Sequence, residues 1–142
     1  MPHSVLLVAG RGAVRDVVRA ILGGTSELII TGEVDNDLDA VRAVSKVHPD
    51  LVLIDELLPG IDGIESTAAI LQRSPSARVI ILSMREDENT VLAAFRAGVC
   101  AYVSKRSSPV ELLAALSAVL RGGLYLSSPI SDHLLNRIQR GD

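Results

Sequence analysis

Asp50-Leu-Val-Leu-Ile-Asp55-Glu-Leu-Leu-Pro59-Gly60-Ile-Asp62-Gly63-Ile-Glu65 compresses a strand, a turn and a helix start into one short stretch. Leu51 to Ile54 is apolar on successive residues, without alternation, as strands are when both faces of a parallel sheet are covered. Asp55 follows directly, Pro59, Gly60 and Gly63 supply turn chemistry, and a helical pattern runs from Ile64 to Arg73. Comparable runs stand at Val5 to Val8, Leu28 to Ile30, Val79 to Leu82 and Ala101 to Val103. Their starts lie roughly two dozen residues apart, which leaves room for one crossover helix each.

Between the runs the apolar period becomes helical. Val14, Val17, Val18, Ile21 and Leu22 form one stripe, and Leu112, Leu113, Leu116, Val119 and Leu120 another. The second stripe starts with Ser108 as cap, Pro109 at the first helical position and Glu111 three residues after the cap. Further helices read at Leu38 to Val47 and at Glu88 to Ala97, the latter ended by Gly98. Five β-α units follow, and with them a doubly wound α/β fold with a five-stranded parallel sheet. After the last of these helices Gly122-Gly123 breaks the chain, and Ser128-Pro129 opens a segment with Ile130, Leu134 and Ile138 on one face. Residues 1–126 are therefore read as the domain and 127–142 as an amphipathic tail or linker helix.

The balance of 17 acidic and 14 basic residues gives a net charge of −3 over 142 residues, of which 48% are hydrophobic. Such a chain is too apolar for disorder and of a length for one domain. The longest apolar runs, such as Val5 to Ala9, fall far short of the roughly 20 residues of a membrane span. Cys100 is the sole cysteine, and the start lacks the pattern of a signal peptide, so the cytoplasm is the expected compartment. One Phe, two Tyr and no Trp, on an acidic background, argue against nucleic-acid binding by this stretch itself.

Ligands of open parallel sheets bind at the carboxyl ends of the strands. There stand Ala9-Gly10-Arg11-Gly12, Asp55-Glu56, Ser83-Met84-Arg85 and Ser104-Lys105. On one reading Asp55 is a nucleophile toward phosphorus, Ser83 hydrogen-bonds a phosphoryl oxygen and Lys105 neutralises its charge. On the other, the edge holds an Asp–Lys ion pair and a turn-forming serine. Gly10-Arg-Gly12 also invites a nucleotide-binding enzyme, but Arg15 stands where the dinucleotide fingerprint needs a small residue, and no P-loop occurs.

The Asp50–Glu65 stretch, Val79-Ile-Ile-Leu-Ser83-Met84 and Gly98-Val-Cys-Ala-Tyr102-Val-Ser-Lys105-Arg-Ser-Ser-Pro109-Val-Glu-Leu together resemble the receiver domains of bacterial response regulators. With Gly-Gly-Leu-Tyr-Leu-Ser-Ser-Pro near the end, the wording is most like the NarL/FixJ type, whose receivers precede a LuxR-type helix-turn-helix. The resemblance covers the chain up to about Leu126. It implies a flavodoxin-like sheet of strand order 2-1-3-4-5 and a regulatory domain, not an enzyme. It makes Asp55 the phosphoacceptor, Ser83 the switch hydroxyl, Tyr102 the switch aromatic and Lys105 the phosphoryl-binding lysine. A sensor histidine kinase and a second copy of the chain are the implied partners. DNA is implied only through a helix-turn-helix domain absent from this sequence.

One departure stands out. The family carries an acidic pair after the first strand, and here that position is Ala9-Gly10. Mg²⁺ needs an octahedral oxygen shell, and Asp55 with the backbone carbonyl of Leu57 are the ligands left, so metal binding is expected to be weak. Asp16 falls in the first helix and Glu56 on the opposite side of the strand, which makes both poor substitutes. Arg11 is a further candidate, as a guanidinium in the cation's place. Two functions therefore stand: a receiver whose metal-dependent phosphorylation of Asp55 is impaired, and a pseudo-receiver acting through protein contact or dimerisation. Arg96, Arg106 and Arg121 are candidate charged members of such a contact face.

Overall fold

The computed structural model describes residues 2–56 and 62–127, with 130, 134, 139 and 140 beyond them. The elements follow the order β1 (His3–Val8), α1 (Ala13–Gly23), β2 (Leu28–Val34), α2 (Asp37–Val47), β3 (Leu51–Asp55) and α3 (Gly63–Arg73). They continue with β4 (Arg78–Ser83), α4 (Glu88–Arg96), β5 (Ala101–Ser104), α5 (Pro109–Leu120) and β6 (Tyr125–Leu126). The sheet is parallel in every pairing and runs β2-β1-β3-β4-β5-β6.

The order 2-1-3-4-5 thus holds, with a sixth strand added to the expected five. At two residues, β6 is too short to show any apolar period. Pairing makes it a strand, through Ala101↔Tyr125 and Tyr102↔Leu126. β2 also runs on to Val34, past the Leu28 to Ile30 of the sequence reading. Thr31-Gly32 has the residue types of a turn, but the β1 register steps from Val5↔Ile30 to Leu6↔Gly32, so Thr31 is absorbed as an irregularity within the pairing. Leu6 fills the space at Gly32, where a Cβ would lie 3.0 Å from its Cδ1.

Each face of the sheet owns a core, as the unbroken apolar runs require. On one side Val8, Ile54, Ile81 and Tyr102 pack with Val44 of α2, Ile70 of α3 and Phe95 of α4. On the other, Leu7, Leu53, Ile80 and Val103 pack with Val18 and Leu22 of α1 and with Leu112 and Leu116 of α5. Polar side chains start most of the helices: Asn36 caps α2, Asp62 caps α3, Asp87 caps α4 and Ser108 caps α5. α1 begins without a side-chain cap, at Gly12 with φ of 135°.

The expected tail helix falls largely outside the described residues. Of that segment, Leu134 is buried within the α2–α4 core and Ile130 packs beside it.

Leu53 is fully buried at the centre of the sheet. Leu53→Ala is expected to lower unfolding stability by about 2–5 kcal/mol. Urea denaturation checks this, as a lower midpoint at unchanged slope.

Candidate functional site

The carboxyl edge of the sheet is where α1, β3, β4 and β5 bring their polar residues together. Asp55 ends β3 and is 2% exposed. The backbone fixes its surroundings: Asp55 pairs in register with Leu82, and the Glu56 N–H donates to the Leu82 carbonyl at 3.0 Å. Ser83 lies opposite Ser104, and the Lys105 N–H donates to the Ser83 carbonyl at 2.8 Å.

From that position Lys105 reaches across and its Nζ forms an ion pair with Asp55 Oδ1. Both side chains are nearly out of water. A carboxylate in such a place needs a cation, since an unpaired buried charge is far costlier than a paired one. Asp55 and Lys105 are therefore brought together as the sequence reading placed them.

Ser83 is turned elsewhere. Its hydroxyl donates to Glu56 Oε1 at 2.9 Å and accepts the Arg85 N–H at 3.0 Å. Tyr102 is fully buried, and its hydroxyl donates to the Arg85 carbonyl at 2.8 Å. Its phenol is pushed up to about 12, by burial above all; the nearby Ser83 hydroxyl opposes the shift and the Glu56 charge adds to it. The polar edge thus resolves into two groupings, Asp55 with Lys105 and Glu56 with Ser83, Arg85 and Tyr102.

Three further side chains complete the edge. Ser104 Oγ donates to Glu86 Oε2 at 2.6 Å and accepts the Arg106 N–H at 3.1 Å, while the Arg106 guanidinium pairs with Glu86. The Ser104 hydrogen bond, and after it Arg106, hold the Glu86 carboxyl below its usual range. The turns after β4 and β5 are thereby tied to each other.

At the end of β1, Ala9 is fully buried and its N–H donates to the Val34 carbonyl at 2.9 Å. Arg15 of α1, 9% exposed, donates through Nη2 to the carbonyls of Ala9 and Val34. Its Nε lies 3.6 Å from Glu33, which also binds Arg19. A guanidinium therefore joins the ends of β1 and β2 beside the position, Ala9-Gly10, where the resembled family carries its acidic pair. Arg11 is exposed on the turn, and Asp16 points outward to Arg19 at 3.7 Å. Leu57 lies outside the described residues. Among the described residues no group of three His, Cys, Asp or Glu side chains could hold a metal ion. The described donor set does not fit Mg²⁺, because Asp55 is matched by an ammonium and the turn after β1 offers no carboxylate.

Sequence reasoning set Glu56 aside for lying on the other side of the strand from Asp55. That same side carries Ser83 and Tyr102, and the alternation along β3, β4 and β5 was the available signal. Glu86 and Arg15 had no such signal, since their partners come from separate elements.

Residues 5–117 match the family model of the response regulator receiver domain, and the chain belongs to that family. It is a receiver domain of the kind carried by LuxR-family two-component response regulators. A two-component response regulator of the LuxR family from Aurantimonas sp. SI85-9A1 superposes with a TM-score of 0.88 and 31% identity, over the full length of both chains. The transcriptional activator protein ExaE of Pseudomonas putida is 32% identical over 130 residues, 92% of this chain and 61% of that protein. The nitrate/nitrite response regulator protein NarL of Escherichia coli (strain K12) is 27% identical over 133 residues, 94% of this chain and 62% of that protein. The chain thus spans about three-fifths of the length of these curated relatives. The isolated receiver domain of RcsB from Salmonella enterica, solved with a phosphomimetic, shares the fold with a TM-score of 0.83 at 20% identity. No helix of the described residues is long and apolar enough to cross a membrane.

The phenol of Tyr125, which donates to Glu111 at 3.0 Å, is likewise pushed up to about 12, again by burial first. Unfolding returns both phenols to about 10. The stabilisation from keeping them protonated is complete below pH 10 and is lost as pH rises toward 12. Spectrophotometric titration is expected to show tyrosinate appearing near 10 in the denatured chain and near 12 in the folded one, with melting temperatures falling across that interval.

Proposed function

We propose that the chain is the signal-input domain of a two-component transcriptional regulator, with Asp55 as its phosphoacceptor. The observation that carries the proposal is the buried Asp55–Lys105 pair at the end of β3, in a chain matching the receiver family over residues 5–117. In the reaction a carboxylate oxygen of Asp55 attacks the phosphorus of a phosphohistidine on a sensor kinase. The phosphorus–nitrogen bond breaks, an acyl phosphate forms and the histidine leaves. Lys105, already beside the carboxylate, offsets the charge on the transferred group, and Ser83 and Tyr102 are the switch residues that respond. Without the acidic pair at Ala9 and Gly10, this transfer lacks metal assistance and is slow.

A second reading rests on the same turn and on the Ser83–Glu56 bond: a pseudo-receiver that signals by contact. α1 and α5 leave an apolar groove of about 280 Å³, lined by Val14, Val17, Ile21, Pro109 and Leu112, of which Val17 is exposed. A second copy of the chain is the proposed occupant. RcsB supplies the analogy, since its structures include dimers on DNA. DNA contact in our proposal belongs to an output domain outside this sequence, and the cytoplasm is the compartment.

Acetyl phosphate is expected to label the parent slowly, at Asp55, and Asp55→Asn to abolish the label. Ala9→Asp with Gly10→Asp is expected to raise Mg²⁺-dependent labelling at least about tenfold, equivalent to about 1.4 kcal/mol of barrier. Mass spectrometry of intact protein checks both. Labelling that survives Asp55→Asn removes the phosphoacceptor assignment. A parent that takes no label, together with dimerisation unchanged in Asp55→Asn, favours the contact reading.

A further inference from the structure

The Ser83 hydroxyl has one proton to donate, and it donates it to Glu56. Ser83 Oγ lies 2.9 Å from Glu56 Oε1, and both residues are buried, with Glu56 only 7% exposed. A buried carboxylate needs hydrogen-bond donors, and the Ser83 hydroxyl is one. The fold also leaves the side chain room. The chain carries glycine at position 63, where a Cβ would stand 2.7 Å from Glu56 Oε2 and 2.9 Å from Ile81 Cδ1. The missing side chain leaves the start of α3 room against the ends of the Glu56 and Ile81 side chains.

The remaining valence of Ser83 continues the chain of contacts. Its oxygen accepts the Arg85 N–H at 3.0 Å, and the carbonyl of the same residue accepts the Tyr102 hydroxyl at 2.8 Å. One peptide segment is thus held from both ends, by Glu56 through Ser83 and by Tyr102 directly. The aromatic ring is wholly buried in this arrangement. None of these contacts involves Asp55 or anything bound to it.

We infer that Glu56 is a positioning residue which holds Ser83 inward and Tyr102 buried through its hydrogen bond to the Ser83 hydroxyl, in the absence of any phosphoryl group on Asp55. It takes the donor that a phosphoryl oxygen at Asp55 would otherwise have to compete for. The output face near Tyr102 is then set by this contact until a phosphoryl group on Asp55 competes for the Ser83 hydroxyl. This rests on the switch roles proposed above for Ser83 and Tyr102, but not on Asp55 being phosphorylated.

The test follows the Tyr102 ring resonances and the hydrogen exchange of the Arg85 amide by NMR, on the full chain without phosphoryl donor or added metal. Tyr125→Phe serves to assign the remaining tyrosine. Glu56→Ala is expected to speed Arg85 amide exchange at least about tenfold and to shift the Tyr102 ring signals, with far-ultraviolet circular dichroism unchanged. Glu56→Gln, which keeps an acceptor at the same reach, is expected to retain most of the protection. Should Glu56→Ala fail to fold, Gly63→Ala displaces the carboxylate from the other side and is expected to give the same local changes. A folded Glu56→Ala with parent-like exchange and ring signals overturns the inference. Failure of the acetyl-phosphate labelling leaves these readouts untouched, so the two proposals fall separately.

Discussion

Side-chain alternation at the end of β3 is the constraint on which the site depends. Successive residues of a strand leave the sheet on opposite sides, so two carboxylates adjacent in sequence cannot share one environment. Asp55 meets Lys105 from the β5–α5 turn, and Glu56 meets Ser83 beneath the start of α3. The register of β3 with β4 and of β4 with β5 then decides who else arrives. Asp55 stands level with Leu82 and Ser83 with Ser104, and Ile81 and Tyr102 one step back share the core on the Glu56 side. A one-residue slip of β3 would exchange Asp55 and Glu56, one of β4 would carry Ser83 to the other side, and one of β5 would carry Tyr102 there.

The carboxylates of this edge are partnered locally, two by cations and one by a neutral hydroxyl. Asp55 is met by an ammonium, Glu86 by a guanidinium and a hydroxyl, and Glu56 by a hydroxyl. Arg15 is the inverse case, a guanidinium set mostly against carbonyl oxygens at the ends of β1 and β2. The Ala9 carbonyl sits past the last β1–β2 pair, where a buried backbone acceptor needs a donor from outside the sheet, and the Val34 carbonyl, which already accepts the Ala9 N–H, takes the guanidinium as a second donor. The absence of carboxylates at positions 9 and 10 therefore leaves a turn that is hydrogen-bonded and closed, with Ala9 buried, and not a vacant metal cradle.

Much of this was legible in the sequence. Unbroken apolar runs at even spacing gave the parallel sheet and its two cores, and Ser108-Pro109 with Glu111 marked the start of α5. The Asp55 to Lys105 approach follows from two strand ends that lie two strands apart in the expected order. What escaped the sequence reading has a common physical origin. β6, the extension of β2 past Thr31, the Glu86–Ser104–Arg106 cluster and the Arg15 contacts are all decided by a partner far along the chain. Local propensity carries no trace of such a partner. Glu56 differs, since the alternation that separated it from Asp55 also placed it with Ser83; its surroundings were readable once Ser83 and Tyr102 were put on the same side.

The strand that carries Tyr102 would be the edge of a five-stranded sheet, and an open edge strand is a template for unwanted pairing. β6 removes that edge. Tyr125 donates its N–H to the Cys100 carbonyl at 3.1 Å, Ser127 donates to the Tyr102 carbonyl at 3.1 Å, and Ser127 Oγ accepts the Ser104 N–H at 2.8 Å. The exposed edge shifts outward to a strand of two residues, too short to template a partner. The same bonds give β5 a backbone attachment on each side, to β4 and to β6. Tyr102 therefore sits on a strand held from both flanks, so that freedom at this position belongs to the side chain and to the Arg85 peptide its hydroxyl grips, not to the backbone beneath it.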